Sequence, residues 1–266
     1  MFALPLAYGR MAMSCTDQAD FGPFIERLTA RSVLSEEEKQ AILGLPGHAV
    51  HVRAKQDFVH INEETAYSCF VVSGLVGRTG QTAAGARQIT AFHIPGDMPD
   101  LSSAVRPVGV GGLTALCDTV ILRIPHVAIR NLMARYPAVA EAFWRDTMLD
   151  AAILLQWVIN VGRRDARSRL AHILCEMSIR YGRDREILTE YDFPITQEQL
   201  GDAAALTSVH VNRSLKSLRQ EGAVTIRSGK VRIADWDKLV AIGDFESSYL
   251  VADTGPERQR RLLSAA

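Results

Sequence analysis

The sequence predicts an α+β fold in three parts: an N-terminal β jelly-roll barrel, one long helix, and a C-terminal winged helix-turn-helix. Three observations carry that prediction. Residues 195–221 (ITQEQLGDAAALTSVHVNRSLKSLRQE) read as two helices across a tight turn, followed by a Gly stop and a basic hairpin. Residues 47–125 fall into short β-rich runs of period two, separated by Gly, Pro, Asn and Asp. From Pro137 to about Val161, apolar residues recur at helical spacing over the longest such run in the chain.

In the helix-turn-helix, Thr196 is a good N-cap, and Gln199 three residues on completes a capping box. Leu200 and Ala204 point the first helix inward, and Ala205–Leu206–Thr207 make the turn. Thr207 or Ser208 caps the second helix, where Val211, Leu215 and Leu218 form one buried stripe at i, i+4 and i+7. The opposite face carries Val209, Arg213, Lys216 and Gln220, flanked by His210 and Asn212, and is long, polar and basic. Gly222 stops the helix, and VTIRSGKVRI makes a hairpin with Ser228–Gly229 at its tip. Such a unit sets one helix in the DNA major groove while its wing touches phosphate. Arg213 lies one turn in from the helix N-terminus, and its fork matches the O6 and N7 acceptors of guanine. Lys216, Arg227 and Lys230 are expected on phosphates.

Toward the N-terminus, Phe24–Leu28 and Ser35–Leu43 predict two short helices, the second opened by a Ser35/Glu38 capping box. Strands are expected at Ala49–Arg53, Phe58–Ile61, Ser68–Val72, Leu75–Arg78, Gln88–His93, Gly112–Leu116 and Val120–Ile124. Many short strands at this spacing suit a sandwich or jelly-roll barrel.

The helical period returns at His126–Arg135 and breaks at Tyr136–Pro137, with Pro137 well placed as the first residue of the next helix. In that helix Trp144, Met148, Ala152, Leu155 and Ile159 form a seam of the kind that pairs helices. Its second half, AAILLQWVINV, is apolar nearly all round. One side is therefore expected on the barrel and the other on a partner chain, in a homodimer. Gly162–Arg163–Arg164 reads as a hinge, and Asp165 as the cap of a helix to about Tyr181. A loop is expected from there to the helix-turn-helix, and a short helix, Asp235–Asp244, after the wing. The parts divide as a flexible leader (1–20), a sensor domain (21–136), a dimerisation helix (137–162), a DNA-binding domain (163–247) and a flexible tail (248–266).

The whole chain carries no net charge, so charge alone does not advertise nucleic acid. Its distribution does: residues 196–233 hold six basic and three acidic side chains, whereas residues 48–125 hold six of each. The four cysteines stand far apart, which gives zinc or an iron–sulfur cluster no local support and reads as buried thiols in a reducing cytoplasm. No apolar run is long enough to span a bilayer, and the N-terminus lacks the pattern of an export signal.

The order of parts resembles the Crp/Fnr family of bacterial transcription regulators, from roughly Phe24 to Glu246. ITQEQLGDAAALTSVHVNRSLKSLRQEGAV is close to the family's DNA-binding signature. FVVSGLV and HIPGDM look like the strand-Gly-strand and Gly-Asp turns of its cyclic-nucleotide-binding barrel. From Tyr136–Pro137 to Arg169–Leu170–Ala171 the chain can be laid on the family's cyclic-AMP receptors without a gap. The resemblance implies a barrel of cyclic-nucleotide-binding type, a homodimer on a palindromic operator in double-stranded DNA, and RNA polymerase as a further partner. Thr196, Gln197 and Thr207 fall where relatives contact phosphate. Many relatives place Glu and Arg early in the reading helix; here those positions are Ser208 and Val209, and only the later Arg213 is kept. A base-reading set of Ser208, Val209 and Arg213 implies an operator unlike the common family site.

The effector pocket departs further. The family's Glu is matched only by the shorter Asp100, its Arg-Ser pair by Gly109–Val110, with Arg106 offset by three residues. Its base-contacting hydroxyl pair is replaced by Leu154 and Leu155. The expectation is a barrel that does not bind cyclic nucleotide and has no assigned cofactor or metal. Other signals stay open: a metal at His93 or His60, a redox switch at Cys175, an apolar or acidic small molecule near Leu154 and Leu155, or no ligand at all. The leading expectation is a cytoplasmic regulator and not an enzyme. The alternatives are a cupin-like metalloenzyme, for which His48 and His51 lie near each other without the rest of the ligand set, and a protein–protein module.

Overall fold

The computed structural model describes residues 21–109, 111–182 and 186–250. The leader expected at 1–20, Val110, and residues 251–266 of the expected tail lie outside them. Two short helices come first, α1 (Gly22–Thr29) and α2 (Glu36–Leu43). Ser35 caps α2 through the reciprocal bonds of a capping box with Glu38.

Seven strands follow in two antiparallel sheets: β1 (His48–Val52), β2 (Asp57–Val59), β3 (Tyr67–Ser73), β4 (Val76–Gln81), β5 (Arg87–His93), β6 (Gly112–Ala115) and β7 (Thr119–Pro125). One sheet runs β1-β7-β3 and the other β2-β6-β4-β5. The period of two is the reason both faces of this barrel are covered. On β3, Cys69 and Val71 point between the sheets, where they meet Val52, Phe58, Val76, Leu113 and Ile121. Phe70, one residue out of phase, packs outward on Phe24, Leu122 and Phe143.

Helix α3 (His126–Arg135) leads into α4 (Pro137–Arg163). Val139, Ala142, Phe143, Leu149, Ile153 and Trp157 are buried on one side of α4, against α1 and the barrel. The opposite side is apolar and exposed. The expected hinge at Gly162–Arg163–Arg164 sits later than the sequence suggests. Gly162 and Arg163 are helical, and the break falls at Arg164, which is extended. Its cause is Asp165, whose carboxylate accepts from the backbone of Arg167 and Ser168 and so starts α5 (Ala166–Tyr181). A mid-helix Gly costs only about 1 kcal/mol and does not by itself end a helix.

The loop expected after α5 contains a strand, β8 (Glu190–Asp192). It precedes α6 (Gln197–Ala204), α7 (Ser208–Gln220), β9 (Val224–Arg227), β10 (Lys230–Ile233) and α8 (Trp236–Gly243). The wing is thus a three-stranded sheet, β8-β10-β9. β8 escapes a reading by pattern because it is three residues long and only Tyr191 faces in, with its hydroxyl donating to Leu174 O at 2.7 Å. Within the stretch expected as tail, Leu250 is buried and Tyr249 donates to Glu176 at 3.0 Å.

Candidate nucleic-acid interface

The crossing of α6 and α7 is built by local chemistry. Thr196 and Gln199 form the capping box of α6, and Thr207 caps α7 by accepting from His210 N. A Cβ on Gly201 would stand 2.5 Å from Leu206 O, so the turn returns this closely only over a glycine. Ala205 takes the left-handed conformation, at φ 54° and ψ 49°. Its carbonyl and that of Ala204 accept from Arg169 of α5, which holds the end of α6. Val211 and Leu218 are buried as expected; Leu215 is only half-buried, and the small Ser214 shares the buried stripe. Gln197 and Asn212 face each other across the crossing and exchange amide hydrogen bonds of 2.8 and 3.3 Å.

The outer face of α7 projects into solvent. Val209 is 76% exposed. Ser208, Arg213, Lys216 and Arg219 are exposed beside it, and Arg227 at the wing. Among the described residues Arg213, Lys216 and Arg227 make no ion pair, so their charge is presented outward. Lys230 differs: it lies 3.8 Å from both Glu190 and Asp192 on β8. The hairpin alone leaves Lys230 a free wing cation; β8 supplies the two carboxylates. Thr196, Gln197 and Thr207 are exposed along the same edge, with Thr196 and Thr207 oxygens occupied as caps.

This unit rests on the barrel through α6. Gln199 donates to Leu116 O at 3.0 Å, Gln88 donates to Ala203 O at 3.1 Å, and Arg87 pairs with Asp202 at 3.4 Å. Phe92 stacks edge-on against Trp157 of α4 and Phe193 before α6, which fuses barrel, long helix and wing into one core.

The residues expected at the effector pocket do not converge. A cleft of about 170 Å³ opens between α4 and the turn after β5, and Leu154, Arg78, Met98, Asp146 and Asp150 line it. Leu155 is on the other side of α4, in the exposed stripe, and Arg106 is exposed on the loop beyond the 3₁₀ turn Leu101–Ala104. Asp100 turns inward: one oxygen accepts from Cys69 N at 2.6 Å, and the other is buried with no partner among the described residues. Burial pushes its carboxyl up to about 6. What sequence reading misses here is an ion network at the cleft wall. Arg27 of α1 binds Asp146 at 2.5 Å, Asp150 at 3.3 Å and Asp97; Arg78 binds Asp150 at 3.3 Å. Burial opposes the charge on Arg27, but those three carboxylates more than offset it and raise its pKa.

Metal and redox sites fare poorly. His93 is buried among Arg78, Arg180 and Arg27, and burial and those cations hold it neutral. His60 is exposed, and His48 and His51 stand three apart on β1, on opposite faces. Among the described residues no three His, Cys, Asp or Glu side chains gather closely enough to hold an ion. The Cys175 thiol is buried in the core and burial raises its pKa, which leaves little reactive thiolate. No helix among the described residues is long and apolar enough to cross a membrane.

A barrel joined by a long helix to a winged helix-turn-helix with a free basic face defines a DNA-binding regulator of two domains. Two family models match these parts: a cyclic nucleotide-binding domain over residues 49–136 and a Crp-like helix-turn-helix domain over residues 168–242. Regulatory protein HlyX of Actinobacillus pleuropneumoniae is 23% identical over 81% of this chain and 90% of its own length. The transcriptional activator FnrL of Cereibacter sphaeroides is 22% identical over 71% of this chain and 77% of its own. Among solved structures, FixK2 from Bradyrhizobium japonicum superposes with a TM-score of 0.67 at 24% identity, covering 74% of this chain and 98% of FixK2. The chain belongs to the Crp/Fnr family of DNA-binding transcription regulators. Neither the cupin-like enzyme nor the protein–protein module gains support from these likenesses.

Proposed function

We propose that the protein is a homodimeric regulator, not an enzyme, that reads a palindromic operator in double-stranded DNA and works in the cytoplasm. The observation that carries this is the outer face of α7, where Val209, Arg213 and Lys216 stand free on a helix whose other face is locked into the core. Ser208, Val209 and Arg213 read base edges. Thr196, Gln197, Thr207, Lys216 and Arg227 hold phosphates, and Lys230 does so less strongly because two carboxylates already share it.

The two-fold axis runs along α4. Trp144 is 70% exposed and Leu155 60%, and Met148, Val158 and Ile159 continue that apolar stripe past Ala152. A stripe of this length on one helix face is expected to be covered by its copy. RNA polymerase is the further partner that family membership suggests.

Cyclic AMP and cyclic GMP are not the signal. The cleft beside α4 is smaller than the usual 300 Å³ or more of a small-molecule site, and the arginine on its wall, Arg78, is already paired with Asp150. Leu154 offers a base no hydrogen bond. Calorimetry that returns a micromolar Kd for either nucleotide would overturn this. The experiment that tests the whole reading is selection of bound genomic fragments by the purified protein, with scrambled DNA as the control. Recovery of one palindromic motif is expected; fragments without a common motif would refute sequence-specific reading.

A further inference from the structure

We propose that Val209 reads the 5-methyl group of a thymine, and that this thymine lies within two base pairs of the guanine read by Arg213. The inference rests on the DNA-binding reading above and deepens it. Val209 is the most exposed large apolar side chain among the described residues. It is the second residue of α7, in the first turn, the part of such helices that reaches the base edges. It takes no part in the core, whose stripe on α7 is Val211, Ser214 and Leu218.

Its polar neighbours are engaged. His210 Nδ1 is 3.1 Å from the hydroxyl of Thr207, and Asn212 is held by Gln197. That leaves Val209 and Arg213 as the unengaged side chains of full size at the front of the helix. A valine has no donor or acceptor. The apolar feature that a base pair presents in the major groove is the thymine methyl, and the other edge groups are donors or acceptors. Set against those, Val209 would strip them of water and return nothing. Set against a methyl, two apolar surfaces leave water together. Valine is also stiff at χ1 in a helix, so it gives up little freedom when it docks.

Position fixes the spacing. Val209 and Arg213 are four residues apart, so they share a face with Cβ atoms about 5–6 Å apart. Base pairs rise about 3.4 Å each, so the two side chains span one or two steps.

The test uses the full-length protein and an operator obtained by selection. Each thymine is replaced in turn by deoxyuridine, which removes only the methyl, and binding is measured for wild type, Val209→Ala and Arg213→Ala. One thymine per half-site is expected to respond, near the Arg213 guanine, with about fourfold weaker binding by wild type. Val209→Ala, altered in both half-sites of the dimer, is expected to bind the thymine operator about fourfold more weakly per half-site and to show little further loss with deoxyuridine. Tolerance of deoxyuridine at every thymine, or an equal loss in wild type and Val209→Ala, would overturn the assignment. If the Arg213→Ala effect survives in those cases, only the thymine assignment fails. If no operator can be selected, the DNA-reading proposal fails with it.

Discussion

Asp97, in the Gly-Asp turn of the barrel, and Arg180, near the end of α5, form a buried ion pair at 2.7 Å that bolts the sensor barrel to the DNA-binding domain. Asp97 also takes Arg27 and accepts from Ile94 N at 2.9 Å. Arg180 also holds Glu176 at 3.2 Å, and Glu176 accepts from Trp157 of α4 and from Tyr249. Burial raises the pKa of Glu176, and Arg180 beside it works the other way. The same turn continues into Met98 and Pro99, two walls of the cleft.

Breaking such a network from one side leaves buried charge behind. Arg180→Met leaves buried Glu176 without its cation and Asp97 with Arg27 in its place, and the expected cost is about 3–5 kcal/mol. Arg180→Lys keeps the charge and loses the fork, so it should fall between. Urea unfolding of the three proteins measures this; an unchanged midpoint for Arg180→Met would contradict it.

Asp100 gives stability a pH dependence of its own. Its folded pKa of about 6 stands above the ordinary 3.8, so the folded state holds the proton more tightly than the unfolded one. Its ionisation therefore costs nothing below about pH 4 and destabilises progressively as pH rises to about 6, by roughly 2–3 kcal/mol at the plateau. Asp100→Asn keeps an acceptor for Cys69 N and cannot ionise. The difference in melting stability between variant and wild type should move in the variant's favour from pH 4 to pH 6; parallel profiles would count against it.

The turn of the helix-turn-helix carries avoidable strain. Ala205 holds a left-handed backbone, and Ala205→Gly should stabilise the protein by about 1 kcal/mol. Gly201→Ala should do the reverse, because its new methyl would meet Leu206 O. Thermal unfolding of both variants, with opposite shifts, is the check.

The exposed stripe of α4 is the seam of the proposed dimer. Ala152→Glu with Leu155→Glu places charge in the middle of the seam and is expected to give monomers at micromolar concentration. Light scattering decides it, and a wild type that is itself a stable monomer would remove the premise.

Arg213→Ala should cut the preference for the operator over scrambled DNA by about 1–3 kcal/mol per half-site. Lys216→Ala and Arg227→Ala should weaken both DNAs alike and lower the salt slope by about one unit for each phosphate no longer neutralised. Lys230→Ala should change the slope less, given its two carboxylate neighbours. Binding across a salt series separates these; an Arg213→Ala variant that loses affinity for both DNAs equally would make Arg213 a phosphate clamp.

Local chemistry explains what the sequence determined by itself. Caps at Ser35, Asp165, Thr196, Thr207 and Asp235, the period of two in the barrel and the Gly222 stop are interactions within a few residues, and they set the elements and their order. The outer face of α7 was legible too, because the spacing of Val211 and Leu218 fixes which side is buried. Tertiary structure decided the rest. β8 exists because β10 offers it an edge, and its carboxylates change what Lys230 can do. The order of the chain places Asp100 and Leu155 at one pocket, yet the turn after β5 sends the Asp100 carboxylate inward to Cys69 N and the turn of α4 exposes Leu155. The network around Asp97 joins residues 27, 97, 146, 150 and 180, whose attraction acts only once folding has brought them within a few ångströms and excluded water.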